Sequence, residues 1–526
     1  MTKGSQTVDS MKEILVVGGG TAGWLAACHL AKKLSRGDSG ARVTLIESPD
    51  IPTIGVGEGT VPAMRQSLEY LGISETDFIR DCDATFKQSI KFVDWMRDRG
   101  DGSANYYHHV FDYPAVSEVD LTPYWLMNQT GATSFADAVS IQGQVCDRGL
   151  GPKLMTHPEF HGITNYAYHL DAAKFAQLLT NHAVDNLAVR HLLTTVDDVT
   201  LNDRGEIHSV MTADYGEVCA DLFVDCSGFR SMLIGDKLGV GFVDRKDTLF
   251  ADAALAIQVP YEDESAPIPS YTIATAKAAG WIWDIGLHDR RGTGYVYAEK
   301  YCDRDEAERV FRDYLRESIG DAADSLPCRY IPMKIGYREK FWEKNCVAIG
   351  LSQGFVEPLE ATGLLVFDAT ARMLAELFPP SRSAMPAIAD RFNKRVGYAW
   401  ERVIDFIKLH YCLSDRDDTD FWRDNRDPAT IPESLLQNLN LWREQPPSHY
   451  DFFSRQEIFN LENYLYVLYG MNYATNVQAI SYRYSDQEVA EKEFERISAD
   501  AARAVQTLLP HRELIDRIKT YGLQKI

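Results

Sequence analysis

Paired cysteines are missing from this 526-residue chain. Its nine cysteines, at positions 28, 82, 146, 219, 226, 302, 328, 346 and 412, are odd in number, widely spaced and include no C-x-x-C pair. Neither a disulfide framework nor a zinc site is signalled, so no metal is expected. A reducing cytoplasm is the expected compartment. Long apolar runs are also scarce. Only the charge-free stretch Ile14 to Ala31 approaches membrane-spanning length, and its four glycines divide it into a β-rich part and a helical part. Met1 to Lys12 is polar, and no secretory signal is expected. Positive charge is in deficit: 54 Lys and Arg face 76 Asp and Glu, a formal charge of −22 that repels phosphate backbones and anionic membranes. No nucleic-acid or membrane partner is expected. Repeats and low-complexity tracts are absent, and dispersed Pro and Gly argue against a flexible linker between independent domains.

What is present is an ordinary globular composition, 45% hydrophobic and 25% charged, enough for one large core or two medium ones. Ile14 to Val17 is a short apolar β-branched run. Gly18-Gly19-Gly20-Thr21-Ala22-Gly23 follows it, then a helical pattern through Trp24, Leu25, Cys28 and Leu30. A second predicted strand, Val43 to Glu47, ends in an acid. Gly18, Gly20 and Gly23 thus make G-x-G-x-x-G between a strand and a helix, where backbone N–H groups approach a pyrophosphate and Glu47 accepts from ribose hydroxyls. No second fingerprint of this kind occurs, so one dinucleotide is expected. The spacing alone leaves FAD and NAD(P) both open. Ser74 to Phe86 reads as helical and the residues around Ile90 and Phe92 as a strand, with Lys87 near the junction. Short strands follow between Thr195 and Val243, and from about Ala361 the pattern is mostly helical. By this reading alone, Lys87 is a solvated cation at a helix end and Glu360 a surface acid or a helix-start residue. His157 and His161 have a metal-like spacing, but Pro158 separates them and no third ligand is indicated.

Six segments occur in order across residues 14 to 364: Gly18 to Trp24, Ile54 to Thr60, Thr85-Phe86-Lys87, Asp225 to Arg230, Gly280-Trp281-Ile282-Trp283, and Phe355 to Gly363. In that order they resemble the flavin-dependent tryptophan halogenases, with a weaker echo from Tyr464 to Met471. The resemblance implies an α/β fold: an FAD-binding Rossmann-like core of the GR2 monooxygenase type with a largely helical substrate-binding part. Residues 11–400 would form the FAD-binding module with substrate-site insertions, and 401–526 the mainly helical substrate-binding region. It also implies a two-component reaction. A separate NAD(P)H-dependent flavin reductase delivers reduced FAD, oxygen makes the flavin hydroperoxide, and chloride or bromide attacks it to give hypohalous acid. That oxidant reaches Lys87, whose ammonium donates a hydrogen bond or whose amine forms a haloamine, beside an aromatic carbon. Glu360 orients the oxidant or stabilises the cationic ring intermediate and removes its proton. Glu357 is its adjacent decoy.

The cofactor contacts that follow from the resemblance are Gly18, Gly19, Gly20, Thr21, Ala22, Gly23, Glu47, Val56, Gly57, Glu58, Val196, Leu351 and Leu364. Thr362 and Gly363, at the start of an apolar helix, match the halide site, and Ala361 stands where the better-studied relatives carry Ser. Trp281 and Trp283 share one face of a predicted strand and match a wall beside the flavin. The family's following Ile-Pro is Ile285-Gly286 here, so a more flexible loop is expected. The substrate wall matches His108 or His109, Phe111 and Tyr464. The expected product is a halogenated indole ring, from free indole or tryptophan. The alternative is a flavin-dependent aromatic hydroxylase, which needs neither halide nor Lys87. A homodimer is compatible with either.

Overall fold

The apolar run forms the strand Glu13–Val17 at the centre of a six-stranded sheet, parallel to Arg42–Glu47 on one side and Leu222–Asp225 on the other. Arg190–Leu193 and Cys346–Ala348 extend the sheet in parallel, and Trp342–Glu343 closes one edge antiparallel. Helix Thr21–Leu34 covers one face, which is why Ile14 to Val17 shows no polar alternation. The turn between strand and helix needs glycine. Gly18 has φ +119°, and a Cβ there would lie 2.1 Å from the Cys226 carbonyl oxygen; a Cβ on Gly23 would lie 1.9 Å from the Gly18 carbonyl oxygen. The computed structural model describes residues 11–35, 37, 40–51, 57–98, 100, 105–115, 118–128, 133–453 and 457–525. Among them, no helix is long and apolar enough to cross a membrane.

Two further sheets frame the site. In the seven-stranded one, Gly280–Gly286 lies between Arg290–Tyr297 and Thr272–Lys277, followed by Ser89–Val93 and the edge strand Tyr106–Val110. In the three-stranded one, Ala167–Asp171 pairs antiparallel with Gly57–Gly59 on one side and Thr85–Lys87 on the other.

The structure corrects several sequence expectations. The helix predicted over Ser74 to Phe86 spans only Glu75–Asp81, with the Ser74 hydroxyl accepting from the Asp77 N–H. β-branched Thr85 and aromatic Phe86 pair with Ala167–Asp171 instead, so Lys87 ends a buried strand. Gly286 is the last residue of a paired strand, and its carbonyl accepts from the Thr85 hydroxyl at 2.6 Å, so the expected loop begins only after it. The boundary at residue 400 falls inside the 29-residue helix Met385–Leu413. The largest hydrophobic core includes both Ile14 and Ile518, so the C-terminal helices share it with the first sheet.

Candidate active site

Lys87 is 1% exposed. Its Nζ donates to the Thr60 carbonyl at 3.1 Å and stands 5.2 Å from the centre of the Phe111 ring. Burial lowers its pKa to about 8, while the charge of Glu360 acts in the opposite direction. The strap strand Gly57–Gly59 passes beside it, and a Cβ on Gly59 would lie 3.3 Å from Nζ. Lys87 is thus an enclosed ammonium, not the solvated cation that its residue type and position suggest.

Glu360 is 3% exposed and sits on a strained turn. Glu360 and Ala361 both have left-handed backbones, φ 65° and 55°, a conformation that costs about 1–3 kcal/mol for each non-glycine residue. His109 Nδ1 and His410 Nε2 both approach Glu360 Oε1, at 2.8 and 2.9 Å. Burial pushes this carboxyl up, but the two imidazoles hold it well below the usual carboxylate range. Helix Thr362–Glu376 begins immediately afterwards, and a Cβ on Gly363 would meet only Phe367, at 3.7 Å. Its first N–H groups have no intrahelical acceptors and can hold an anion.

Strand alternation separates the two histidines. His109 faces Glu360, whereas His108 faces Ser89 Oγ at 2.9 Å and Asp147 Oδ1 at 3.1 Å, among different neighbours. The sequence also puts Tyr464 in the substrate wall. Its ring instead packs against Phe406, Phe452 and Trp442, one layer back, while the Tyr466 ring lies 6.1 Å from the ring of His109. Two residues along a helix is more than half a turn, and that rotation makes the difference.

Trp281 and Trp283 do share a strand face, with ring centres 6.5 Å apart. The Trp281 indole N–H donates to Glu357 Oε2 at 2.7 Å, and the Tyr411 hydroxyl donates to the same oxygen at 2.5 Å. Glu357 therefore anchors the tryptophan wall. Sequence reasoning missed that anchor, and with it Tyr411, His410, Tyr466 and Asn463. The available signal was His410 four residues after Phe406 in a helix, which places the two on one face.

The glycine loop tests whether these residues fit a dinucleotide. Gly20 caps helix Thr21–Leu34 without a side-chain bond, no acid lies in the first turn, and a Cβ on Gly20 would meet nothing within 4 Å. The helix N-terminus therefore opens onto free space. The Glu47 side chain lies against Gly19, where a Cβ would be 2.3 Å from Glu47 Cδ. Gly350 approaches Ala22 so closely that its Cβ would be 2.7 Å from that of Ala22, which brings Leu351 to the start of the same helix. Leu364 is buried in the first turn of helix Thr362–Glu376. Gly57 packs toward Ile285, and a Cβ there would lie 2.9 Å from Ile285 Cδ1, so the strap rests on the strand that carries Trp281 and Trp283. Glu58 is pushed up to about 7 by burial and by the charge of Asp171, and its Oε2 has no hydrogen-bond partner among the described residues. Val196 begins a strand two residues after Thr194, whose N–H donates to the Glu47 carbonyl at 2.8 Å, and its side chain is buried with Leu15 and Ile46. Val56 lies outside the described residues. The donor set fits a pyrophosphate and a ribose.

The profile of the tryptophan halogenase family matches residues 13–486. The tryptophan 6-halogenase SttH of Streptomyces toxytricini is 38% identical over 518 residues, 94% of this chain and 96% of that one. A tryptophan halogenase structure from Shewanella frigidimarina superposes with TM-score 0.94 at 42% identity, covering 98% and 99% of the two chains. BrvH, a flavin-dependent halogenase from Brevundimonas sp. BAL3, superposes with TM-score 0.83 at 32% identity, covering 96% and 99%.

Proposed function

This chain belongs to the tryptophan halogenase family, and from that premise we propose that it halogenates an indole ring with Lys87 and Glu360 as the catalytic pair. It is a flavin-dependent halogenase that works with reduced FAD, a separate flavin reductase, and chloride or bromide. The aromatic hydroxylase alternative is not favoured, because the relatives are halogenases. One observation carries the assignment of the pair: a buried ammonium beside an aromatic ring feels the charge of a buried carboxylate that two imidazoles keep ionised. The nine cysteines are free, which supports a reducing compartment.

Gly18 to Gly23 and Glu47 would hold the pyrophosphate and ribose, and the strap at Gly57 and Glu58 would close over the ring system. When bound, reduced FAD with oxygen supplies the two-electron oxidising power that converts halide to hypohalous acid. Thr362 and Gly363 hold the halide with helix N–H groups. The Trp281 and Trp283 rings, fixed through Glu357, separate that chemistry from the substrate. Below about pH 8 Lys87 is an ammonium, so it donates to the oxygen of the oxidant and polarises its bond to the halogen. His109, Phe111 and Tyr466 hold the ring for attack, and the free oxygen of Glu360 accepts the ring proton. One ring hydrogen is replaced by halogen, and the oxygen leaves as water.

The substrate site joins aromatic rings to an amide, since Asn463 Oδ1 lies 3.0 Å from His109 Nε2. Free indole and tryptophan are therefore the first substrates to test. With a generic flavin reductase, mass spectrometry should show chlorine or bromine isotope patterns on an indole only when halide is present. Oxygenated indole in equal yield without halide would restore the hydroxylase reading.

A further inference from the structure

Lys87 is the last residue of an edge strand, so whatever holds that edge decides where its ammonium lies. Thr85–Lys87 pairs on one side only, with Ala167–Asp171. Opposite Phe86, the Tyr168 carbonyl turns away and accepts from the Thr60 N–H at 2.8 Å. Phe86 therefore points its own N–H out of the sheet, and the Gln88 N–H, two residues on, points the same way. Both residues are fully buried, so each outward N–H needs another acceptor. Gln88 finds one in the Ser270 carbonyl, at 2.7 Å.

Phe86 finds its acceptor in a side chain 425 residues away in sequence. Its N–H donates to His511 Nε2 at 2.9 Å, and His511 Nδ1 lies 3.0 Å from the Ile268 carbonyl. Both partners are backbone groups with a single role. An N–H can only donate and a carbonyl can only accept, so the proton sits on Nδ1 and the lone pair on Nε2. Burial lowers the His511 pKa to about 4, so that lone pair persists at neutral pH. The ring is itself fixed. His511 is the first residue of helix His511–Tyr521, its N–H donates to the Gly149 carbonyl at 2.9 Å, and the Gly151 N–H donates to the Leu509 carbonyl at 2.9 Å. The two residues that flank Lys87 are thus tied to one segment, Gln88 directly at Ser270 and Phe86 through an imidazole at Ile268.

We propose that His511 is a positioning residue for Lys87: its imidazole bridges the Phe86 N–H to the Ile268 carbonyl and fixes the strand end from which the ammonium projects. This rests on the reading of Lys87 as catalytic. His511 touches no reacting group. Without the bridge the strand end is held on its outer edge only beyond Lys87, and Nζ loses its fixed place between the Thr60 carbonyl and the Phe111 ring. The oxidant would still form, but it would meet the indole in the wrong geometry.

Two variants of the full-length enzyme separate this role from packing. In H511Q the amide oxygen reaches close to the place of Nε2, whereas in H511N the amide reaches only that of Nδ1. Hydrogen exchange at the Phe86 amide, read by fragment-resolved mass spectrometry, should stay slow in H511Q and quicken at least tenfold in H511N. The Gln88 amide should be unchanged in both. In single-turnover reaction with reduced FAD, oxygen, halide, indole and a freely diffusing halogen acceptor, H511N should lose about tenfold or more of its indole halogenation, as expected for a slightly misplaced catalytic group. Halogenation of the acceptor should hold at the wild-type yield, and H511Q should stay within a few-fold of the wild type for both products. Equal behaviour of the two variants, a wild-type yield of halogenated indole from H511N, or a fall of both products together overturns the proposal. Wild-type indole halogenation by K87A would instead overturn the catalytic assignment of Lys87.

Discussion

Glu357 and Glu360 lie three residues apart on one loop, and both are buried, yet their surroundings drive them in opposite directions. Glu357 accepts from neutral donors, the Trp281 indole and the Tyr411 hydroxyl, and burial lifts it to about 7. Glu360 accepts from two imidazoles and is held far below its ordinary value. The difference shows that burial alone does not decide the state of a carboxyl. The charge of its donors does. The Glu357 end builds a wall from tryptophan rings, and the Glu360 end presents an anion to Lys87.

The sharpest break in this comparison is expected from Glu360→Gln, which keeps size and polarity but removes charge and basicity. Single-turnover halogenation should fall about 10²-fold or more, in the usual range for a lost general base. The next effect is on pH. Burial lowers the Lys87 pKa, so the donor form is complete well below about 8 and is lost as pH rises through that value. Halogenation rate at saturating flavin should therefore decline above pH 8, and a rate that rises there would favour the free amine. The smallest effect is expected from Glu357→Gln. An amide oxygen still accepts from Trp281 or Tyr411, so the halogenation rate should stay within a few-fold. Losing one such hydrogen bond should cost about 1 kcal/mol of stability, read as a lower unfolding midpoint. A loss from Glu357→Gln as large as from Glu360→Gln would erase the distinction between the two ends of the loop.

Much of the first region was legible in the sequence, because strand, glycine turn, helix and terminal acid are local and each has its own residue signature. Gly18, Gly23 and Glu47 sit where that pattern puts them. The W-x-W strand and the helix that starts at Thr362 were readable for the same reason. The surroundings of Glu360 were not, because they are assembled from distant segments: His109 is 251 residues away in sequence and His410 is 50. The choice between His108 and His109 needed the strand's facing, and that between Tyr464 and Tyr466 needed the rotation of a helix. Lys87 was read near a helix end because the pattern from Ser74 to Phe86 reads as helical in the sequence. Pairing with Ala167–Asp171 overrides it.

The most direct test of the catalytic pair is single-turnover reaction of Lys87→Ala with reduced FAD, oxygen, halide and indole, in the presence of a freely diffusing halogen acceptor. Nothing that binds flavin or halide is altered, so oxidant should still form and halogenate the acceptor at close to the wild-type yield. The indole should remain unhalogenated. Halogenated indole in wild-type yield and at the wild-type ring position would contradict the account.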